Sequence, residues 1–197
     1  MQPMGQQPNL WNQPFYRVRK KVMALAGKYW IEDHTGNQLG FSKQKLMRLK
    51  EDIRVFSDDK MNYELFQIRQ QQIVDTWGTY HVIDSPTGAV VGQLKRKGMK
   101  SVVADEYHLL DAQGNPYGRI YEESGKSMMR KFLPGGGLIP QKIWLEVQGQ
   151  QIAQIEQKFK MVGDIWEVNC QGVPPQFDRR VLLSAMLIMA MIERKND

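Results

Sequence analysis

The chain of 197 residues is long enough for one well-filled core and short for two full domains. Its composition is globular, 42% hydrophobic and 24% charged, and its formal net charge of +6 favours anionic partners such as phosphates on lipids, nucleic acids or small ligands. Cys170 is the only cysteine, which excludes an intrachain disulfide and suits a reducing compartment.

Residues 1–14 are rich in Gln, Pro and Asn, with too little apolar surface to offset the entropy of ordering them, so a flexible tail is expected. They lack the basic and apolar runs of a secretory signal, and neither end shows a lipidation motif. Trp11 is the tail residue expected to fold back onto the domain, which spans 15–197. A basic cluster, Arg17, Arg19, Lys20 and Lys21, then leads into the first strand.

A repeat follows. Tyr29-Trp30-Ile31-Glu32-Asp33, Tyr80-His81-Val82-Ile83-Asp84 and Tyr107-His108-Leu109-Leu110-Asp111 each lead from an apolar strand into a Gly-containing turn. A second strand starts near Gly40, Gly92 or Gly118, and "IWLEVQGQQIAQIEQKF" at 143–159 reads as a fourth, worn copy. Turn glycines supply the positive φ that ties short antiparallel strands together. Alternation is plain at 143–147, where Ile143, Leu145 and Val147 oppose Trp144 and Glu146, and at 165–170, where Trp166, Val168 and Cys170 oppose Glu167 and Asn169. Short strands, hairpins and no βαβ spacing indicate an antiparallel barrel or sandwich.

The chain closes on "DRRVLLSAMLIMAMIERKND". Pro174 and Pro175 stop the preceding strand, Asp178 stands where an N-cap belongs, and a helix is expected over about 178–194. Twelve residues separate Arg180 from Glu193, and Ser184 is the only polar one among them. A helix apolar all round lies in a membrane or in a protein core. Twelve residues cover only ~18 Å, against a hydrocarbon thickness of ~30 Å. Burial inside the barrel is therefore expected, with Met186, Met189 and Met191 as packing for an irregular lumen. Arg179 and Arg180 stand at the positive end of the helix dipole, which least favours them.

The basic run "KRKGMK", with Lys95, Arg96, Lys97 and Lys100, follows a hairpin, so alternate side chains leave one sheet face beside the apolar Met99. Lys126, Arg130 and Lys131, interleaved with Met128 and Met129, form a second cluster of the same kind. Both suit anionic lipid headgroups. "DAQGNPYGRIYE" has EF-hand spacing from Asp111 to Glu122, but Pro116 replaces the required glycine, and a hairpin turn is expected instead. His81 and His108 occupy equivalent repeat positions without the second-shell signature of a metal site, so no metal or other cofactor is expected. Cys170, in an alternating strand, is read as buried. Ser127 and Ser184 lie in no nucleophile motif, the glycine-rich 134–140 lacks the Lys-Ser/Thr of a phosphate loop, and no catalytic residue emerges. Nucleic acid is not expected, for want of a recognition helix or stacking motif.

The hairpins at 31–40, 83–92 and 110–118, patterned hhD-x-x-G-x-x-hG, and the ending "FDRRVLLSAMLIMAMIERK" resemble the tubby C-terminal-like superfamily, in particular its LURP-one-related and phospholipid scramblase branch. The Gln/Pro-rich tail is similar to that of scramblases. The resemblance implies a closed antiparallel barrel of about twelve strands around a central C-terminal helix, and activities centred on membranes. Where scramblases place an acidic calcium-binding stretch, this chain keeps Asp164 and Asp178 as its only aspartates, and the scramblase cysteine cluster is absent, so calcium responsiveness is not expected. The expected function is non-enzymatic: a cytoplasmic barrel that binds anionic phospholipid at a membrane surface through its basic loops. The alternative is a scramblase-like membrane protein anchored by the C-terminal segment. A ligand site inside the barrel is a third reading, opposed by a helix that fills the lumen.

Overall fold

Residues 10–23, 26–45, 52–71, 78–97, 106–122, 140–159 and 164–192 are described by a computed structural model. Alternation is realised in twelve strands: β1 (Phe15–Met23), β2 (Ala26–Glu32), β3 (Gln38–Lys45), β4 (Asp52–Phe56), β5 (Glu64–Gln71), β6 (Thr79–Asp84), β7 (Val90–Arg96), β8 (Glu106–Leu110), β9 (Pro116–Glu122), β10 (Lys142–Val147), β11 (Gln150–Phe159) and β12 (Asp164–Asn169). Helix α1 (Arg179–Ile192) follows. Each strand pairs antiparallel with its neighbours in sequence, and β1 closes the barrel on β12, with Phe15 opposite Asn169 and Arg19 opposite Ile165.

Closure divides the molecule into an inside, an outside and two ends. Five hairpin turns, at 33–37, 57–63, 84–89, 111–115 and 148–149, gather at one end, called here the turn end. The last residues of β1, β3, β5, β7, β9 and β11 point to the far end. Every hairpin at the turn end has a register shift beside it, at Ile31/Glu32, Val55/Phe56, Val82/Ile83, Leu109/Leu110 and Leu145/Glu146. Such bulges bend and twist strands, which helps a sheet curl shut.

An eight-stranded barrel is filled by its own side chains, whereas a wider one encloses space that must be occupied. Here α1 occupies it. Residues 181–191 are all buried, none more than 7% exposed, and share one core with Val18, Ile31, Phe66, Leu94 and Trp166 of the inner wall. Gly92 shows how closely the parts fit: a Cβ there would stand 2.6 Å from Val181 Cγ2, so bare backbone is needed where the helix passes β7. The described helix ends within two residues of the expected bound at 194, and Asp178 caps it, accepting the Arg180 backbone N–H at 2.9 Å.

The two arginines at the helix start each have partners that hold them. Arg179 is 3% exposed and folds back, its guanidinium donating to the carbonyls of Val173 (2.8 Å), Pro174 (2.8 Å) and Phe177 (3.0 Å). Arg180 grips Asp178 bidentately and reaches Asp84 on the β6–β7 turn at 2.5 Å. These bonds offset the unfavourable dipole position. Trp11 folds back as expected, edge-on to Phe66 at 5.3 Å and 5.9 Å from the Arg180 guanidinium. Tyr16 holds the same segment by donating to the Leu10 carbonyl at 3.1 Å, so residues 10–14 lie across the mouth that the helix enters.

The repeat needs two corrections. The segment 143–159 is a hairpin but not a copy of the Asp turn, because Gln148 and Gly149 (φ +51° and +81°) make a two-residue turn. The true fourth copy is Asp58-Asp59-Lys60-Met61-Asn62, where Met61 adopts φ +59° in the place that Gly36 and Gly114 fill elsewhere.

Candidate anion-binding rim

β7 carries Lys95 and Arg96 to the far end, and Lys97 follows as the strand stops; all three are exposed. Lys95 lies opposite Thr79 on one side and His108 on the other. Beside them a surface depression of about 570 Å³ runs along β7–β9, bordered by Lys95, Arg96, Lys97, His108, Leu110, Gly114 and Pro116. Glu106 ties down part of this charge. It accepts from Lys97 at 2.9 Å and stands 3.7 Å from Arg119 and 3.9 Å from the His108 ring. Lys95 has no carboxylate within 4 Å among the described residues. Burial pushes the Tyr80 phenol up, and Arg96 beside it pulls the other way. Lys100, Lys126, Arg130 and Lys131 lie outside the described residues.

Charge is segregated along the barrel axis. Among the described residues the turn end holds Asp33, Asp58, Asp59, Asp84, Asp111 and Asp178, with Glu32, Glu64, Glu146 and Glu167 near strand ends, against Lys60, Arg17 and the paired or buried Arg180 and Arg179. At that end a pocket of about 330 Å³ is floored by Val91, Tyr117, Val147, Pro174 and Phe177, with Asp111 and Asp178 on its rim. Burial, then Asp178 and Asp111, push the Tyr117 phenol above its ordinary range. The far end holds Lys21, Lys28, Lys43, Arg69, Lys95, Arg96, Lys97, Lys142 and Lys158 near strand ends, against Asp52, Glu106, Glu122, Glu156 and Asp164 among the described residues. Composition reports only the net charge, whereas strand direction sorts it. A plain count of strand reversals would have placed Lys21, Lys28 and Lys43 with Lys95.

The remaining sequence candidates fall into structural roles. His81 and His108 sit on the outer wall, because Val82, Tyr107 and Leu109 take the inward positions, and the described residues hold no cluster able to bind a metal ion. Asp111 lies in the turn before β9 and closes that turn, while Glu122 is the last residue of β9 at the far end, so the two cannot share a cation. Cys170 is 2% exposed, and burial pushes its thiol up to about 11, which makes it unreactive.

Together these features define a closed antiparallel barrel, plugged by its own C-terminal helix, acidic at one end and basic at the other. Comparison with protein-family models, with curated proteins and with solved structures found no match to this chain.

Proposed function

We propose that the protein is a non-enzymatic, tubby-like barrel of the LURP-one-related and scramblase branch that docks on anionic phospholipid through its far end. The observation that carries this reading is the axial segregation of charge, with Lys95, Arg96 and Lys97 exposed at the basic end and a row of aspartates at the other. Beside an anionic membrane each surface lysine contributes ~1 kcal/mol and each aspartate is repelled, so such a barrel orients with its far end down. Lys100, Lys126, Arg130 and Lys131, read from the sequence as further lipid contacts, lie outside the described residues.

Vesicle flotation tests it. The full chain should float with phosphatidylserine vesicles and not with phosphatidylcholine vesicles, less so as salt rises. Lys95→Ala should weaken the partition about fivefold, the equivalent of ~1 kcal/mol. Equal recovery with both vesicles overturns the proposal. Two observations weigh against the anchored, scramblase-like alternative. The apolar surface of α1 is already buried in the barrel, and no helix among the described residues is long and apolar enough to cross a membrane.

A further inference from the structure

We infer that Lys21, Lys28 and Lys43 form a separate binding site for an anion that carries two or more neighbouring phosphate groups. Register makes the site. Lys21 of β1 lies directly opposite Lys28 of β2, and Lys28 lies directly opposite Lys43 of β3. All three leave the outer wall, because Val18, Tyr29 and Ser42 take the inward positions; Lys21 and Lys43 are exposed and Lys28 is half-buried. Neighbouring strands stand about 4.8 Å apart, so three like charges fall in a row roughly 10 Å long.

Like charges placed directly opposite each other destabilise a sheet, and the other such pair on this wall among the described residues, Glu156 opposite Glu167, is neutralised by Lys142 on one side and by Arg17 and Lys158 on the other. Arg17 faces Glu32 on one side and Glu167 on the other, Arg119 faces Glu146, and Lys142 faces Glu156, with ion-pair distances of 4.0, 2.8, 2.8 and 3.3 Å. The lysine row has no carboxylate within 4 Å among the described residues. The next row offers none either: Arg19 stacks on Trp30 at 4.1 Å, Trp30 packs on Phe41, and Glu32 beyond them is held by Arg19 and Arg17. A repulsive row without a countercharge among the described residues is accounted for if a ligand supplies the missing negative charge.

The chemistry narrows the ligand. Lysine amines are mobile point charges, suited to phosphate oxygens and without the planar fork that selects a single carboxylate. Three of them in a line match several phosphates in succession better than one. In strand order β2 and β7 lie on different sides of the barrel, so this site stands apart from the Lys95 rim.

The test uses the full chain, with sodium tripolyphosphate followed by titration calorimetry and phosphatidic acid vesicles followed by flotation. Lys28→Glu converts the row to alternating signs. It should lose roughly tenfold or more in affinity, and its Tm should hold or rise because repulsion is relieved. Lys28→Gln is the second variant, expected to lose affinity in the same direction by less. Lys95→Ala should bind tripolyphosphate like the parent, which separates this site from the rim. Binding of tripolyphosphate that depends on Lys28 supports the inference with a soluble source; dependence seen only with vesicles supports it with a lipid source. Parental affinity in Lys28→Glu for both probes, or no binding of either probe by the unaltered protein, overturns it.

Discussion

Hairpins β6–β7 and β8–β9 stand side by side and open on the same residue, an aspartate, yet only one of them holds the helix. In the β8–β9 turn, Asp111 Oδ1 accepts the backbone N–H groups of Gln113 and Asn115, and the Asn115 amide donates to Oδ2 at 2.9 Å. Asp33 is saturated in the same way by Thr35 and Asn37. The β6–β7 turn is one residue longer, Asp84 to Gly88, and Ala89 takes the place of the asparagine. Thr87 binds one oxygen of Asp84, and the other is left for Arg180. One local motif thus serves two ends, closing a turn in some copies and locking the barrel to its plug in another. The difference lies in whether an asparagine amide is present to fill the second oxygen.

The largest test of that division removes the plug. A chain ending at Asp178 loses all of α1, including the buried run from Val181 to Met191, and leaves twelve strands around an empty lumen. It should unfold as a whole, with loss of strand signal in far-ultraviolet circular dichroism. A folded, monodisperse 1–178 fragment would show that the hairpins need no helix to hold them.

The next test sets the two turns against each other. Asp84→Ala removes a partner from Arg180, whose side chain is only 13% exposed, and should cost about 2 kcal/mol. For a chain of this size that is roughly 4–8 °C in Tm. Asp111→Ala breaks bonds that water can replace at an exposed turn, and should cost a small fraction of that. Equal losses in thermal melts would mean that the Asp84–Arg180 contact holds nothing beyond its own turn.

The helix was legible in the sequence because length and apolarity act locally: a short run with charged flanks cannot span a bilayer and must be buried. Strand alternation and the Asp turns were legible for the same reason, since each is written within about ten residues. The turn at 58–62 was missed because Met61 hides the positive-φ position that glycine marks elsewhere. Arg180 reaches across the fold to Asp84, 96 positions away, and Arg179 folds back on carbonyls two to six residues before it, an arrangement that no local pattern marks. Lys28 and Lys43 are scattered in sequence, and only the register of β1–β3 lines them up with Lys21. Of the basic candidates read from the sequence, Lys95, Arg96 and Lys97 are placed at the far end, with Lys97 partly neutralised by Glu106.

The smallest expected effect concerns the saturated turns alone. Slight burial pushes the Asp33 carboxyl up, but hydrogen bonds from Thr35 and Asn37 outweigh it and hold the group at about 2. The folded value lies below the ordinary ~3.9 of an unfolded chain. The turn's contribution is therefore present in full above that ordinary value and is lost as pH falls through about 2. Because the carboxylate is solvent-exposed, the effect on global stability should be slight, and the sensitive readout is the Asp33 carboxyl carbon shift followed by NMR down the acid range. Asn37→Ala should move that midpoint up towards the ordinary value, whereas Ala89→Asn in the β6–β7 turn should leave it unchanged. A midpoint already at the ordinary value in the unaltered protein would mean that these bonds do not persist in solution, and the contrast between saturated and recruited aspartates would fall with them.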